Sequence, residues 1–264
     1  MKTGDQMQDE PFAGMDFDVD IMCEYYSRIE RQGPGNDEQT LKALSFIEPI
    51  GESSRILDIG CGTGGQTLTL AHHCAGSIDA LDIFPYFIDR LNERIAGAGL
   101  TDRVRGVIGS MDALPYERET LDLIWSEGAV YNMGFQRGIR EWGKLLKDGG
   151  FIAVSEISWF TTDRPAELSD FWEHEYPEID TIANKVAQMQ QEGYVPVATF
   201  TLPDDCWTAG YFDPQGPVQE EFLLRYRGNE TVERWILEQR HEEDLFRRFS
   251  KYYGYAFYIG RKGM

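Results

Sequence analysis

The chain has 264 residues, of which 42% are hydrophobic and 13% aromatic, which suits a single domain with additions. Its formal net charge of −20 repels phosphate backbones and anionic lipid, and its basic clusters are short, so nucleic acid is not an expected partner. The N-terminal residues are polar and acidic and no apolar run is long enough to cross a bilayer, so we expect a cytoplasmic protein without membrane insertion.

The cysteines and histidines do not form a recognisable metal or disulfide pattern. The four cysteines lack C-x-x-C spacing, and one of them, Cys61, lies in a glycine-rich stretch. We therefore expect reduced thiols. Neither His174-Glu175 nor His241-Glu242 continues as H-E-x-x-H, so no metal site is predicted.

Two helices are predicted at the start of the chain, after an acidic tail of about a dozen residues. The first begins near Asp18, carries Ile21, Tyr25 and Ile29 on one face, and ends at the Gly33-Pro34-Gly35 turn. The second begins at Asn36 or Asp37 and stops before Pro49. We expect these helices to cap a ligand site.

Strands and helices alternate in the next hundred or so residues, which predicts a parallel sheet with helices on both faces. The predicted strands are 56–59, 77–82, 104–109, 121–126 and 151–157. The predicted helices are a first one beginning at Gln66, then 86–98 and 137–147, and the last is followed by a turn at Asp148-Gly149-Gly150.

The rest of the chain is less regular. A helix over 167–192, broken near Pro177, precedes strands at 194–202 and 252–261. About fifty residues separate these strands, more than an ordinary connection, so a lid with helices over 218–226 and 231–249 is predicted there. Aromatic residues in these irregular parts form either an acceptor pocket or a satellite core: Trp159, Phe160, Trp172, Trp207, Tyr211 and Phe212.

The first strand runs directly into a glycine loop and then a helix. Gly60, Gly62 and Gly65 match the G-x-G-x-x-G spacing of dinucleotide sites, a weak signal by itself. Glycines there allow a tight turn and a close approach of the backbone to a ligand, and the helix that follows directs its first N–H groups at the loop. Asp58, two residues before the first glycine, stands where a dinucleotide site usually has an apolar residue, and its carboxylate suits an ammonium group.

Polar and apolar side chains also follow the next strands. Asp82 lies about twenty residues beyond the loop, where an acidic side chain accepts both ribose hydroxyls. Ile83 and Met111 are placed to sandwich an adenine ring, with core packing as the alternative for Met111. Asp112 is placed to accept from the adenine amino group, and Glu127 ends the fourth strand at the ligand crevice.

With these strand ends in view, residues 56–156 resemble the class I S-adenosylmethionine (SAM) methyltransferases, and the nearest branch looks like the small-molecule group that includes ubiquinone and menaquinone biosynthesis enzymes. The resemblance rests on Leu57 to Gly64, Asp82, Met111-Asp112 and the run Leu145 to Gly150. It implies a Rossmann-like α/β fold with a mostly parallel seven-stranded sheet in the order 3-2-1-4-5-7-6, strand 7 antiparallel, and helices on both faces. We predict one domain, with a tail and helical cap at 1–50, a cofactor-binding core at 51–160, and a C-terminal half at 161–264 with a lid at about 203–250.

The resemblance also implies SAM as cofactor and assigns its contacts. Gly60 and Gly62 would lie close to the methionine part of SAM, and Asp58 would hold its amino group. Asp82 would bind the ribose. Ile83 would pack on the adenine ring, and Asp112 would bind the adenine amino group. Family members often place an aromatic residue near the N-terminus over the cofactor. Tyr25 and Tyr26 are the candidates here, and we prefer Tyr25 because it forms one inward-facing stripe with Ile21 and Ile29.

The predicted reaction is transfer of the SAM methyl group to a small, apolar or aromatic acceptor by in-line displacement. Glu127, Glu156 and His174 could remove a proton from the acceptor, with Glu127 ranked first and a plain hydrogen-bonding role for it as the alternative. The chain lacks Asn-Pro-Pro-Tyr after strand four, which disfavours methylation of DNA bases or of glutamine in proteins. A nicotinamide-dependent oxidoreductase and a SAM-binding protein without catalysis remain as alternatives.

Overall fold

Two short helices precede the sheet in the computed structural model, which describes residues 19–263. Helix α1 is Val19–Ser27 and α2 is Asp37–Leu44. Asn36 caps α2, since its side chain accepts a hydrogen bond from the backbone N–H of Gln39. Both helices are shorter than predicted, and the predicted acidic tail lies outside the described residues.

A single mixed sheet forms the centre of the molecule. Its strands are β1 Arg55–Ile59, β2 Ser77–Asp82, β3 Val104–Ile108, β4 Leu121–Glu127, β5 Leu146–Trp159, β6 Asp180–Thr181, β7 Tyr194–Thr201 and β8 Tyr253–Lys262. The order is 3-2-1-4-5-8-7; strands β1 to β5 run parallel, and β8 is antiparallel to both β5 and β7. The predicted fold is confirmed. The numbering differs because the two-residue strand β6, which pairs with β5, was not predicted.

Helices cover the sheet and extend beyond it. They are α3 Gly65–His73, α4 Pro85–Gly97, α5 Phe135–Gly143, α6 Ala166–Glu175, α7 Ile182–Gln191, α8 Asp213–Arg225 and α9 Glu230–Phe249. The predicted break near Pro177 is wider than expected, because β6 separates α6 from α7. In the described part of the chain, no helix combines the length and apolarity needed to cross a membrane.

The junction between α5 and β5 differs from the prediction. The helix ends at Gly143 instead of continuing to Lys147, and β5 already begins at Leu146. The predicted turn lies inside this strand, where Gly149 has a φ of +76° and the pairing between β4 and β5 shifts register. The turn residues therefore produce a local irregularity in a long strand.

Alternate residues of the central strands pack on opposite faces of the sheet. Leu123 and Trp125 belong to one apolar layer, and Ile124 belongs to the other. A third apolar cluster joins α1 to α8 and α9 through Tyr25, Phe222 and related side chains. The N-terminal helix therefore packs on the C-terminal helices, while the division of the domain at residues 50 and 160 stays a prediction.

Candidate active site

The glycine loop lies between β1 and α3. Gly60, Gly62 and Gly64 all have positive φ angles, +70°, +54° and +88°, a conformation that favours glycine. A Cβ on Gly60 would lie 2.4 Å from the Cβ of Ala129, so the chain leaving β4 packs directly on the loop. The ends of β1 and β4 therefore form one continuous wall of the site.

Asp58 is fully buried behind the loop. Its carboxylate accepts hydrogen bonds from Thr67 Oγ1 at 2.6 Å and Gln66 Nε2 at 3.4 Å, both on α3. Burial raises the pKa of Asp58 to about 7, against the opposing effect of the Thr67 hydrogen bond. A nearby cation would favour the ionised form. Its contact with a ligand ammonium stays a prediction, since the observed bonds tie it to α3.

Asp82 links the glycine loop to the start of α4. Oδ2 accepts a hydrogen bond from the Gly62 N–H at 2.9 Å, and Oδ1 accepts one from the Phe84 N–H at 3.0 Å. Burial raises the pKa of Asp82, whereas these N–H donors oppose the rise. Each carboxylate oxygen can accept a further hydrogen bond, so the group is oriented by the backbone and still able to bind a pair of hydroxyls.

The three residues predicted to contact adenine differ in position and burial. The Met111 Cε lies 3.7 Å from the position of a Cβ on Gly60, beside the loop, and Ile83 is partly buried after β2. Asp112 keeps 47% of its side chain exposed and forms an ion pair of 2.6 Å with Arg137. The adenine contacts of all three residues stay predictions.

Glu127 is bonded on both carboxylate oxygens at the end of β4. Arg31 Nη1 donates to Oε2 at 3.0 Å, while Thr40 Oγ1 and Trp125 Nε1 donate to Oε1 at 2.8 and 2.9 Å. Both members of the Arg31–Glu127 ion pair are buried. Its role as a base stays a prediction, and these contacts favour the alternative, in which Glu127 holds Arg31 in place.

Arg31 belongs to a segment, residues 29–35, that covers the glycine loop and is called the strap below. Besides Glu127, Arg31 contacts Asp37 at 2.8 Å. Gln32 Oε1 accepts a hydrogen bond from the Thr63 N–H at 2.9 Å, and its Nε2 donates to the Thr63 hydroxyl at 3.1 Å. Neither Arg31 nor Gln32 was predicted as a site residue, although both directly precede the predicted Gly33-Pro34-Gly35 turn between the two cap helices.

Tyr25 lies in the helical part of the molecule. It is fully buried, its hydroxyl donates to Gln215 Oε1 at 2.8 Å, and its ring meets those of Phe222 and Trp235 edge-on. Tyr26 donates to Gln239 Oε1 at 3.0 Å. These contacts join α1 to α8 and α9, and a place for either tyrosine over the cofactor stays a prediction.

The end of β5 carries a buried ion pair between Glu156 and Lys185. Glu156 Oε1 lies 3.3 Å from Lys185 Nζ, and both side chains are almost completely inaccessible. Burial raises the pKa of Glu156, while the charge of Lys185 opposes the rise. Among the described residues, Glu156 Oε2 and the Tyr176 hydroxyl have no hydrogen-bond partner of normal geometry, although the two groups are close enough for the Tyr176 hydroxyl to lower the pKa of Glu156. Such groups are costly unless a further polar group reaches them.

The aromatic residues of the irregular segments mainly form a core. Trp207 stacks on Phe246 with ring centroids 4.5 Å apart, and Trp159 and Phe212 are also buried. Of the two readings left open by the sequence, these contacts agree with the satellite core. His174, the third candidate base, is exposed.

Comparisons with known proteins agree with this geometry. A family model described as a methyltransferase domain matches residues 56–150. Sarcosine/dimethylglycine N-methyltransferase of Aphanothece halophytica is 32% identical over 104 residues, 39% of this chain and 38% of that protein. Dimethylglycine N-methyltransferase of Parasynechococcus marenigrum is 25% identical over 156 residues, 59% of this chain and 55% of that protein. The chain thus spans about half the length of these relatives or less.

Solved structures extend the likeness of the fold to nearly the whole chain. A SAM-dependent methyltransferase from Geobacter sulfurreducens, solved with S-adenosylhomocysteine (SAH), has a TM-score of 0.76 and 18% identity over 90% of this chain and 97% of its own. A putative sarcosine dimethylglycine methyltransferase from Galdieria sulphuraria has a TM-score of 0.69 and 20% identity, covering 86% and 85%. The predicted likeness to the quinone branch stays a prediction. The chain has the fold of the SAM-dependent methyltransferases, and its residues 56–150 match a methyltransferase domain.

Proposed function

We propose that the chain binds SAM at the carboxyl ends of β1 to β4 and transfers its methyl group to a small-molecule acceptor. The observation that carries this proposal is the geometry of Asp82. The Gly62 and Phe84 N–H groups fix its carboxylate beside the glycine loop and leave acceptor positions on both oxygens. A ribose presents two adjacent hydroxyls that match this arrangement.

The residues next to Asp82 suit the remaining parts of SAM. With the ribose on Asp82, the adenine falls beside Ile83 and Met111, whose apolar surfaces suit an aromatic ring. The methionine part then follows the loop at Gly60 and Gly62. Asp58 lies behind this end and would gain charge from an adjacent ammonium group.

Arg31 supplies the positive charge that the methionine carboxylate needs. Its guanidinium is buried, lies against Gly65 at the start of α3, and lowers the pKa of Asp58 by its charge. The N-terminus of α3 also favours an anion. A zwitterionic amino acid therefore meets Asp58, Arg31 and the helix end at the same place.

Bound SAM would supply an electrophilic methyl carbon on a sulfonium. The protein's task is alignment, because an acceptor lone pair must approach this carbon opposite the sulfur. The strap and the loop after β4 would hold the methionine end, and the buried aromatic walls would exclude water. The curated relatives support a small acceptor, since their names specify sarcosine, dimethylglycine, sterols and a rifamycin.

Calorimetric titration of the chain with SAH and, separately, with NAD tests the cofactor. We expect SAH to bind with a Kd in the micromolar range and NAD to bind far more weakly. Tighter binding of NAD would overturn the proposal in favour of the oxidoreductase. Transfer of label from methyl-labelled SAM to a metabolite extract then tests catalysis. SAH binding without any labelled product would indicate a SAM-binding protein without activity.

A further inference from the structure

The strap contacts three different parts of the molecule. At the glycine loop, Gln32 Oε1 accepts a hydrogen bond from the Thr63 N–H at 2.9 Å. At the end of β4, Arg31 forms its buried ion pair with Glu127. The far end of the strap reaches residues 204–212, which lie between β7 and α8. The strap therefore bridges the proposed cofactor site and a segment that is distant from it in the sequence.

The contact between the strap and residues 204–212 is made by backbone atoms. The Gly35 N–H donates a hydrogen bond to the Cys206 carbonyl oxygen at 3.2 Å. The Gly35 carbonyl oxygen lies 2.6 Å from the position that a Cβ on Gly210 would take, and the Asp205 carbonyl oxygen lies 3.5 Å from that position. A Cβ on Gly210 would force the backbone of the strap to move. The missing side chain at Gly210 is thus what allows the strap to pack so closely.

Gly210 lies in a short π-helix, Thr208–Phe212. Such helices are rare, and they occur frequently at functional sites. The π-helix places the buried rings of Tyr211 and Phe212 beside Trp207, with centroids 6.5 and 5.7 Å from that of Trp207. Ring packing therefore fixes the π-helix in the apolar core, while its glycine contacts the strap.

The segment that carries the π-helix also reaches the end of β4. Trp207 packs on Tyr255, with ring centroids 5.3 Å apart. A ring carbon of Tyr255 lies 3.5 Å from the position of a Cβ on Gly128, the residue that follows β4. The strap, residues 204–212 and the end of β4 therefore form a closed set of contacts beside the glycine loop.

The strap has little slack between its two ends. The Arg31 Cγ lies 2.7 Å from the position of a Cβ on Gly65, so this end packs directly on the start of α3. Only three residues separate Arg31 from Gly35, and one of them, Pro34, has a φ fixed by its ring. A shift of the strap at the glycine loop is therefore passed on to Gly35 and to its contacts.

We propose that the strap couples the cofactor site to residues 204–212, so that SAM bound at the glycine loop orders this segment and Gly210 acts as a positioning residue for the cofactor. The proposal rests on the function proposed above. A ligand that fixes the strap on the loop also fixes Gly35 against Cys206 and Gly210. Because coupling between sites is reciprocal, a molecule that orders residues 204–212 should in turn tighten the binding of SAM.

Amide hydrogen exchange in the protein without cofactor tests the coupling, since each end of the strap carries a reporter N–H. Gly210→Ala should speed exchange of the Gly35 N–H and also, by at least about fivefold, of the Thr63 N–H at the opposite end. Gln32→Ala, which leaves residues 204–212 unaltered, should transmit its effect from Thr63 to Gly35. Gly97→Ala is the control and should change neither rate, because a Cβ there would meet no described atom within 4 Å. Effects confined to the altered end in both variants would overturn the proposal.

Titration with SAH tests the consequence for the cofactor. We expect Gly210→Ala to bind SAH about tenfold more weakly and Gly97→Ala to bind it normally. In wild type, SAH should slow the exchange of amides in residues 204–212, and Gly210→Ala should lose this protection. A lower melting temperature of Gly210→Ala at unchanged SAH affinity would overturn its positioning role and leave it a role in the fold alone. Failure of wild type to bind SAH would instead overturn the cofactor proposal, and the exchange rates without cofactor would still decide the coupling.

Discussion

The two sides of the carboxyl edge of the sheet differ in how their buried polar groups are bonded. On the cofactor side, Asp58, Asp82 and Glu127 each accept at least two hydrogen bonds from neighbouring groups. At the end of β5, Glu156 Oε2 and the Tyr176 hydroxyl have no hydrogen-bond partner of normal geometry within residues 19–263. The side that we propose to bind the cofactor is therefore organised by the chain itself, whereas the end of β5 leaves buried polar groups unpaired.

Because of this difference, we expect mutations on the two sides to have different effects on stability and on ligand binding. A carboxylate held by several donors contributes to the folded state, so its removal affects stability together with binding. A carboxylate without partners costs stability, so its removal should weaken ligand binding and leave the fold intact or stabilised.

The largest effect on stability is expected at Arg31, the residue of the strap that pairs with Glu127. Arg31→Met would leave Glu127 buried without its cation, so the free energy of unfolding should fall by about 3–5 kcal/mol. Urea denaturation measures this loss, and the double variant with Glu127→Gln should recover part of it. Arg105→Met, which breaks an exposed pair with Asp79, is the control and should cost less than about 1 kcal/mol. Equal losses for the two single variants would show that the ion pair does not hold the strap.

Asp82 should give the next largest effect, measured as SAH affinity. Asp82→Ala removes an acceptor of charged hydrogen bonds, so the Kd for SAH should rise roughly 100-fold by calorimetry. Asp79→Ala, on the same strand but paired with Arg105 at the surface, should bind SAH normally. If Asp82→Ala retains wild-type affinity while its melting temperature is unchanged, the ribose lies elsewhere.

Glu127→Gln separates the two roles considered for that residue. If Glu127 holds Arg31, the variant should lose about tenfold in SAH affinity and keep most of its rate at saturating SAM, with an unchanged pH profile. A loss of rate by 100-fold or more at unchanged affinity would instead establish the base role predicted from the sequence.

The residues of the candidate site differ in how far their positions could be predicted from the sequence. The glycine loop lies within thirty or so residues of both Asp58 and Asp82. Their positions at the ends of predicted strands follow from local sequence alone, so they could be predicted. Arg31 and Glu127 are 96 residues apart, and only the packing of the strap on β4 brings them together. Nothing in the sequence distinguishes Glu242, whose pKa is raised by burial, from Glu243, since both lie in the same polar stretch of α9.

The fold shows a similar contrast. Strand β2 has the predicted bounds, because its apolar run is short and turn residues follow it. The start of β5 was placed wrongly because Leu145 and Leu146 continue the apolar stripe of α5, and Asp148-Gly149-Gly150 is typical of a turn. Pairing with β4 outweighs these local preferences and extends the strand through the glycines.

The smallest predicted effect is on the pH dependence of stability. Burial raises the pKa of Glu242 from 4.5 to about 7, so between these values the folded chain binds more protons than the unfolded chain. This contribution is therefore present below about pH 4.5 and is lost as the pH rises through about 7. Glu175 strengthens the effect. The charge of Glu242 also acts on Tyr26, Tyr131, Tyr211, Tyr253 and Tyr255, which stay protonated throughout this range because their pKa values are raised above 10.

Replacing Glu242 by glutamine should remove that loss. Between pH 5 and pH 8 we expect the melting temperature of wild type to fall more than that of Glu242→Gln, by about 2–4 °C, which corresponds to about 1 kcal/mol. Glu243→Gln serves as the control and should follow wild type. Parallel pH profiles for all three proteins would mean that Glu242 is solvated as an ordinary surface carboxylate.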